Sequence, residues 1–270
     1  MRRDMIETEK YEDVTQIRMS REMGGIPFYW VSAYLVDGLL IDTGCSHTAD
    51  ELNIFLYGMN VEKIVNTHFH EDHVGGNSII SSTHKASTYA HTDSIPLIRE
   101  KQKLYLYQEL VWGYPVLSET LPVEDIIKTE NYEFEVIETP GHSEGHIVLV
   151  ERSQGWCFSG DIFSREDLKV ARPEEDMGKI IKSMEQLIFL DTDRLILFTS
   201  VGKIIEKGRE ALVTTVRYLQ RLAEKSKELT SLGYEIDAIV KELFGGEHNF
   251  ADLTNGQYIS SNLIKSVMKI

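Results

Sequence analysis

The sequence has little positive charge to offset its acidic residues. Its 270 residues include 28 lysines and arginines against 43 aspartates and glutamates, which gives a formal net charge of -15. The electrostatic field of this net charge repels polyanions. The basic run at residues 1–3 is too short to form a patch that reverses the field. We therefore expect neither nucleic acid nor an anionic membrane surface among the partners.

Cysteines are few and long apolar runs are missing. Cys45 and Cys157 are too few for a disulfide framework, and neither belongs to a C-x-x-C pair. No run of eighteen apolar residues could span a bilayer, and residues 1–13 lack the apolar centre of a signal peptide. These absences predict a cytoplasmic protein, whose apolar fraction of 42% is enough for a packed core.

Two successive rounds of strands followed by a helix organise the first 202 residues. Asp37-Gly38 is a strong hairpin signal between two apolar runs, and Ser153-Gln154-Gly155 marks a second hairpin. This order predicts an α/β fold with two packed sheets and helices outside. The predicted strands are 28–36, 39–41, 64–65, 132–137, 147–150, 156–159 and 195–198, and the predicted helices are 48–59, 94–111 and 177–190.

The chain becomes helical and charged after residue 202. The pattern predicts helices through residue 229, over 236–244 and over 259–268. About seventy residues are few for an independent core. We therefore expect a core of residues 1–202, covered by a helical extension of residues 203–270.

The densest chemical signal is the run Thr67-His68-Phe69-His70-Glu71-Asp72-His73-Val74-Gly75-Gly76, directly after a predicted strand. In extended backbone, side chains two positions apart point the same way, so His68 and His70 can reach one ion. Asp72 and His73 follow a turn later, and the two glycines allow close backbone packing. Imidazole and carboxylate groups suit zinc, and also iron or manganese.

Two further polar residues come directly after predicted strands. His142 ends the run Thr139-Pro140-Gly141-His142, and Asp161 ends Ser159-Gly160-Asp161. Each residue alone is more typical of a turn than of a ligand. Because side chains from separate strands converge at one sheet edge, the three motifs in this order become specific.

Together these motifs resemble those of the metallo-β-lactamase superfamily, and Ile41-Asp42-Thr43-Gly44 is similar to the family's early aspartate turn. The resemblance covers residues 28–202 and implies a four-layer αββα sandwich with metal ions in a cleft at the sheet edges. It implies that His68, His70 and His142 hold a first ion. Asp72 and His73 would hold a second, Asp161 would bridge both, and Asp42 would support the site without being a ligand.

The sequence departs from the family pattern at Ser200. Members that bind two ions commonly have a histidine here, and a neutral hydroxyl is a poor zinc ligand. The second ion would then rely on Asp72, His73 and Asp161, or be weak or absent. His248, in the helical extension, is a candidate replacement, although a lone histidine is more often a surface or packing residue.

Three other residues have more modest interpretations. We expect His146 to support the site without binding metal, and Cys45 to be a small buried residue rather than a nucleophile. Tyr258, after the turn Thr254-Asn255-Gly256-Gln257, resembles a closing segment of some family members and could line the cleft.

The resemblance implies an enzyme with one or two zinc ions, iron or manganese being alternatives. A bound divalent ion lowers the pKa of its water to about 7 and so supplies a metal-bound hydroxide. Asp72 would be the catalytic residue that orients this hydroxide and accepts its proton. The expected activity is hydrolysis of a small acyl substrate (thioester, lactone or amide) or a phosphoester.

The alternative is a mononuclear iron oxidoreductase resembling the persulfide dioxygenases, which the serine at position 200 favours. A metal-binding protein without catalysis is a third hypothesis. Flavodiiron oxidoreductases are disfavoured because their pattern has a glutamate where His70 stands. A thioesterase similar to glyoxalase II fits the length, but no basic cluster for glutathione is evident in the extension. Fold alone does not select the substrate, and the oligomeric state, including a homo-oligomer, stays open.

Overall fold

The computed structural model describes residues 5–270, so the basic start at residues 1–3 lies outside the described part of the chain. In that part the strands precede residue 206, and the last four helices follow it. The strands are β1 (Met5–Tyr11), β2 (Val14–Ser20), β3 (Glu22–Met23), β4 (Ile26–Pro27), β5 (Val31–Val36), β6 (Leu39–Ile41), β7 (Lys63–Val65), β8 (Ser87–Ala90), β9 (Leu121–Pro122), β10 (Ile126–Lys128), β11 (Glu133–Glu138), β12 (Ile147–Glu151), β13 (Trp156–Gly160), β14 (Ile196–Thr199) and β15 (Ile204–Ile205).

The helices lie mostly between the parallel strands and at the C-terminal end, together with a 3-10 turn at Ser46–Thr48. They are α1 (Ala49–Phe55), α2 (Asn77–His84), α3 (Ile95–Arg99), α4 (Leu106–Val111), α5 (Met177–Ile188), α6 (Gly208–Ser231), α7 (Ile236–Phe244), α8 (Phe250–Leu253) and α9 (Ser260–Val267). Among the described residues, no helix is both long and apolar enough to cross a bilayer.

Two sheets contain nearly all of these strands. Over residues 5–270 the first sheet has seven strands in the order β1-β2-β5-β6-β7-β8-β9, and the second has six in the order β10-β11-β12-β13-β14-β15. The pairs from β6 to β9 and the pair β13–β14 are parallel, and the other pairs are antiparallel. Both predicted hairpins are present, as β5–β6 and β12–β13.

Three hydrophobic clusters lie between the four layers and join them. The central cluster joins the inner faces of the sheets, with Tyr34 and Ile41 from the first against Phe158 and Phe198 from the second. A second cluster packs the first sheet on α1, α2 and α4. A third packs the second sheet on α5, α6, α7 and α9. Burial of these apolar faces makes the αββα sandwich that the sequence predicted.

The C-terminal helices share the third cluster with the second sheet. Leu212, Ile239 and Ile264, from α6, α7 and α9, are fully buried there together with Met184 of α5. We therefore propose that residues 203–270 form a cover on the core rather than a separate unit. The short strand β15 still pairs with β14 at the start of this segment.

The predicted helix over 94–111 is wrong as a single element. The chain forms α3 and α4 with the non-helical segment 100–105 between them. In this segment Gln102 Nε2 donates to the carbonyl oxygen of Phe69 at 2.7 Å, and Gln108 Oε1 accepts from the backbone N–H of Tyr105 at 2.8 Å. The first contact holds the segment against the histidine loop, and the second caps a new helix start.

Glu247 caps the start of α9. Its carboxylate accepts from the backbone N–H groups of Ser260 and Ser261 at 2.8 and 2.9 Å and from the Ser261 hydroxyl. Burial raises its pKa, but these hydrogen bonds outweigh that effect and lower the pKa below 4.5. The stabilisation is therefore fully present above pH 4.5 and is lost as the pH falls through the lowered pKa.

We predict that Glu247→Ala lowers the free energy of unfolding by about 0.5–2 kcal/mol at pH 7, since an N-terminal cap is removed. Urea denaturation measures the change, with Glu242→Ala on α7 as the control. The difference between wild type and Glu247→Ala should shrink toward zero in acid. Equal stability of the two proteins at pH 7 would contradict the cap.

Candidate metal centre

The ends of strands from both sheets bring the predicted ligands together. The run from His68 to His73 follows β7 of the first sheet, whereas His142 follows β11 and Asp161 follows β13 of the second. Ser200 directly follows β14. The site therefore lies at one edge of the sandwich, where the two sheets face each other.

Close backbone packing fixes the histidine loop. A Cβ at Gly75 would come within 2.3 Å of the backbone of Cys45 and Ser46, and one at Gly76 within 2.8 Å of the Thr43 carbonyl oxygen. The backbone N–H of Thr43 also donates to the carbonyl oxygen of His73 at 2.8 Å. The two glycines are therefore required for contact with the aspartate turn, as the sequence predicted.

Three imidazole nitrogens converge on one point. His70 Nδ1 lies 2.9 Å from His68 Nε2 and 3.0 Å from His142 Nε2. With Asp161, these three residues offer ligand atoms that all lie within 4.8 Å of one another. One N–H proton cannot form hydrogen bonds to all of these nitrogens at once, whereas a divalent cation can bind all three.

Asp161 lies between this group and a second one. Its Oδ2 is 3.3 Å from His142 Nε2, and its Oδ1 is 3.4 Å from His73 Nε2. His73 Nε2 and Asp72 Oδ1, 4.0 Å apart, are both buried atoms without a hydrogen-bond partner among the described residues. Because unpartnered buried polar atoms are costly, both atoms fit ligands of a cation. The residues present thus fit one ion well and a second one beside it.

Asp42 holds the histidine loop in place without reaching the convergence point. Its carboxylate accepts from the backbone N–H and the hydroxyl of Thr67, both at 2.8 Å, and contacts His73 Nδ1 at 2.8 Å. This contact leaves Nε2 of His73 directed at Asp161. The arrangement matches the supporting role predicted for Asp42.

His146 and Ser200 position Asp161. The buried His146 Nε2 accepts from the backbone N–H of Asp161 at 3.1 Å, and its Nδ1 lies 2.8 Å from the Thr139 hydroxyl. Burial lowers the pKa of His146 to about 3, so the ring is neutral and can accept this bond. The Ser200 hydroxyl donates to Asp161 Oδ1. Ser200 is therefore at the site, but as a donor to a carboxylate.

Glu175 is a functional candidate that the sequence patterns did not reveal. Its Oε1 lies 2.6 Å from Nδ1 of His142, and its Oε2 accepts from the backbone N–H of Arg172 at 2.8 Å. A carboxylate on the second nitrogen of a metal-binding histidine fixes the ring orientation and raises its basicity. Glu175 lies outside every motif, 33 residues from His142.

The pKa shifts separate the histidines into two kinds. Burial lowers the pKa values of His68 and His70 well below 6.5, so both rings are neutral and ready to coordinate. Burial also lowers the pKa of His73, but the carboxylates of Asp42, Asp161 and Asp72 raise it well above its usual value. The site around His73 and these carboxylates therefore attracts positive charge strongly.

An aromatic pocket opens beside the centre. Asp72, His142 and Asp161 form its floor, and Tyr258 lines it as expected from the sequence. Burial raises the pKa of Tyr107 to about 12, so this hydroxyl is protonated at neutral pH. The remaining walls are Phe28, Tyr29, Tyr107, Val111, Trp112, Arg172, Phe250, Leu253 and Thr254.

Two residues considered in the sequence lie elsewhere. His248 is not part of the four-residue ligand group in the described structure; its ring packs on Phe250 and lines a neighbouring cavity. Cys45 is buried, as predicted, and burial raises the pKa of its thiol to about 11. His248 thus lies outside the group formed by His68, His70, His142 and Asp161 in the described structure.

The sandwich and its edge-located histidine–aspartate cluster define the class of αββα metallo-hydrolases. The model of the metallo-beta-lactamase superfamily matches residues 29–199, and the chain belongs to that superfamily. This membership confirms the superfamily that the sequence motifs predicted.

Two curated relatives show similarity over part of their length. A beta-lactamase-like protein 2 homolog of Drosophila melanogaster is 29% identical over 185 residues, which are 63% of this chain and 56% of the relative. A hydroxyacylglutathione hydrolase of Haemophilus influenzae is 24% identical over 164 residues, or 56% of this chain and 74% of the relative. The chain thus spans little more than half the length of the first relative.

Solved structures share the fold at low sequence identity. A metallo-beta-lactamase family protein from Thermus thermophilus superposes with a TM-score of 0.69 at 16% identity, covering 96% of this chain and 91% of that one. A metallo-beta-lactamase from Pontibacter korlensis gives 0.63 at 17% identity, covering 80% of this chain and 99% of that one.

We predict that His68→Ala and His142→Ala each lose the first metal ion but stay folded, because each removes one of three converging nitrogens. Metal content per chain, measured by mass spectrometry on protein purified without chelator, tests this, with circular dichroism as the check on folding. The control, His248→Ala, should keep the wild-type content. Unchanged metal in His68→Ala would refute the ligand assignment.

We predict that Glu175→Ala weakens binding of the first ion by about 10–100-fold, since the partner of the His142 ring is removed. Competition with a chelator measures the affinity. Glu174→Ala, its exposed neighbour, is the matched control and should bind as wild type does. An equal effect of both substitutions would show general electrostatics rather than support of His142.

Proposed function

We propose that the protein is a zinc-dependent hydrolase that acts on a small acyl or phosphoester substrate. The observation that carries this proposal is the convergence of three imidazole nitrogens beside two unpartnered buried ligand atoms, with Asp161 between them. His68, His70 and His142 would hold one zinc ion, and Asp72, His73 and Asp161 would hold the second. Bound zinc supplies Lewis acidity and a water of lowered pKa.

Asp72 is the residue placed to handle the proton of the attacking water. Its carboxylate is buried, lines the aromatic pocket, and has one oxygen free of any hydrogen bond among the described residues. Burial raises its pKa, with Asp161 acting in the same direction, while His73 opposes the shift. A carboxylate of raised pKa at the pocket floor is suited to orient a water and accept its proton.

A small-molecule substrate fits the shape and charge of the surroundings. The aromatic pocket has a cavity volume of about 90 Å³, which limits the part of the substrate that enters it. A net charge of -15 disfavours a polyanionic substrate such as RNA. The hydroxyacylglutathione hydrolase relatives support thioesters as the first acyl substrates to test.

We predict that Asp72→Ala lowers kcat by about 10²–10⁴-fold, because it removes the group that orients the water and accepts its proton. Steady-state hydrolysis of a thioester, a lactone and a phosphodiester by zinc-loaded protein tests this. The control is Asp93→Asn, a change at an exposed carboxylate away from the pocket.

Metal content and oxygen uptake distinguish this proposal from iron chemistry. One or two zinc ions per chain together with hydrolysis would support it. A single iron with substrate-dependent oxygen uptake would contradict it and favour the reaction resembling that of persulfide dioxygenases. Bound metal without either activity would instead support a metal-binding protein that lacks catalysis.

A further inference from the structure

Arg172 is held at the wall of the aromatic pocket by its own backbone. Its N–H donates to Glu175, and the preceding Ala171 exchanges backbone hydrogen bonds with Ile259 at 3.1 and 3.3 Å. The side chain lines both the aromatic pocket and an adjacent cavity of about 530 Å³, which also borders His70. The guanidinium therefore lies next to the metal centre on a fixed stretch of chain.

The contact between Arg172 and His70 brings two donors together. Nη1 of Arg172 lies 3.4 Å from Nε2 of His70, the nitrogen that faces away from the convergence point. When Nδ1 of His70 binds an ion, Nε2 carries the ring proton, and a guanidinium only donates. Metal-binding histidines normally donate this second proton to a carboxylate, a carbonyl or water. An acceptor oxygen close to both groups would satisfy them together.

The neighbouring carboxylates are engaged elsewhere. Glu71 accepts from Gln108 at 2.8 Å, and Glu175 accepts from the Arg172 backbone and contacts His142. Within the described residues, no carboxylate forms an ion pair with the Arg172 guanidinium at 4.0 Å or less. Glu71, Asp72 and Glu175 act on its charge from a longer distance. Without a close ion pair, its N–H groups remain available to an oxyanion, and Arg172 is the only lysine or arginine among the described residues that line the aromatic pocket.

Apolar surface covers the rest of this pocket. Phe28, Trp112, Phe250 and Leu253 line it together with the three tyrosines Tyr29, Tyr107 and Tyr258. Such walls suit an aromatic or branched apolar group. One cation beside an apolar wall suits a small molecule that has one anionic end.

We propose that Arg172 is a specificity-determining residue that binds an oxyanion of the substrate, with the N–H of His70 as a second donor. The substrate class is then a small ester, thioester or phosphoester with an apolar body and one carboxylate or phosphate group. This inference rests on the proposed function, since it names the substrate class of that same site.

Binding of a matched ligand series to zinc-loaded protein tests the proposal. The probes are 3-phenylpropanoate, its uncharged amide 3-phenylpropanamide, and 2-phenylethylphosphonate, and calorimetry gives each Kd. We expect Arg172→Gln to reduce the preference for an anion over the amide at least tenfold. Direct binding of an anion to zinc contributes in both proteins and cancels in this ratio. The larger loss, for carboxylate or for phosphonate, identifies the anion that the site prefers.

Two further variants separate recognition from structure. Arg165→Gln removes an exposed arginine of the same segment that pairs with Asp167, and should keep the wild-type preference. Arg172→Lys should recover part of the preference if charge recognition is the role. If Arg172→Gln does not fold, Arg172→Met, which keeps a long side chain without its charge, carries the same test, and retention of the full preference in it would overturn the inference.

Retention of the full wild-type preference in folded Arg172→Gln would overturn the inference. Failure of the proposed function would give a different result. In that case no ester, thioester or phosphoester is hydrolysed by any variant, while the comparison of binding constants still reports on Arg172.

Discussion

The geometry of the candidate metal centre depends on the hydrogen bonds of the Asp42 carboxylate. This carboxylate accepts two hydrogen bonds from Thr67 and contacts His73 Nδ1, so it joins the end of β6 to both ends of the histidine loop. Asp42 has a φ of 59°, in the left-handed region that residues other than glycine rarely adopt. The strained turn persists because three contacts over-determine it, and it fixes the loop that presents His68 and His70.

The other ligands are supported in the same manner, each by a different partner. Glu175 faces His142, while His146 and Ser200 hold Asp161 from its backbone and its carboxylate. Each support fixes a ring or a carboxylate before any ion arrives, which lowers the entropy lost on binding. The concentration of buried carboxylates also makes this edge strongly negative, so a bound cation would balance part of that charge.

The sequence was sufficient to place candidate site residues that lie in short runs of chain. The strand-end motifs predicted the positions of His68, His70, Asp72, His73, His142 and Asp161 at one sheet edge, and the two-round pattern predicted the four layers. Glu175 and Arg172 could not be found in this way, because they contact His142 and His70 across 33 and 102 residues. The helix over 94–111 failed for a similar reason, since a tertiary hydrogen bond to Phe69 competes with helix continuation.

The two edges of the sandwich are closed by different means. Far from the histidines, Glu12 at the β1–β2 turn pairs with Arg194 and accepts from Trp156, which ties the first sheet to the second. At the histidine edge, the converging groups of the two sheets, such as His70 and His142, are 72 residues apart along the chain. An ion held there would act as a cross-link that closes a long loop, much as a disulfide does in a protein with more cysteines. A metal ion at this site would then also cross-link the two sheets. The protein would lose rigidity at this edge whenever it loses that ion.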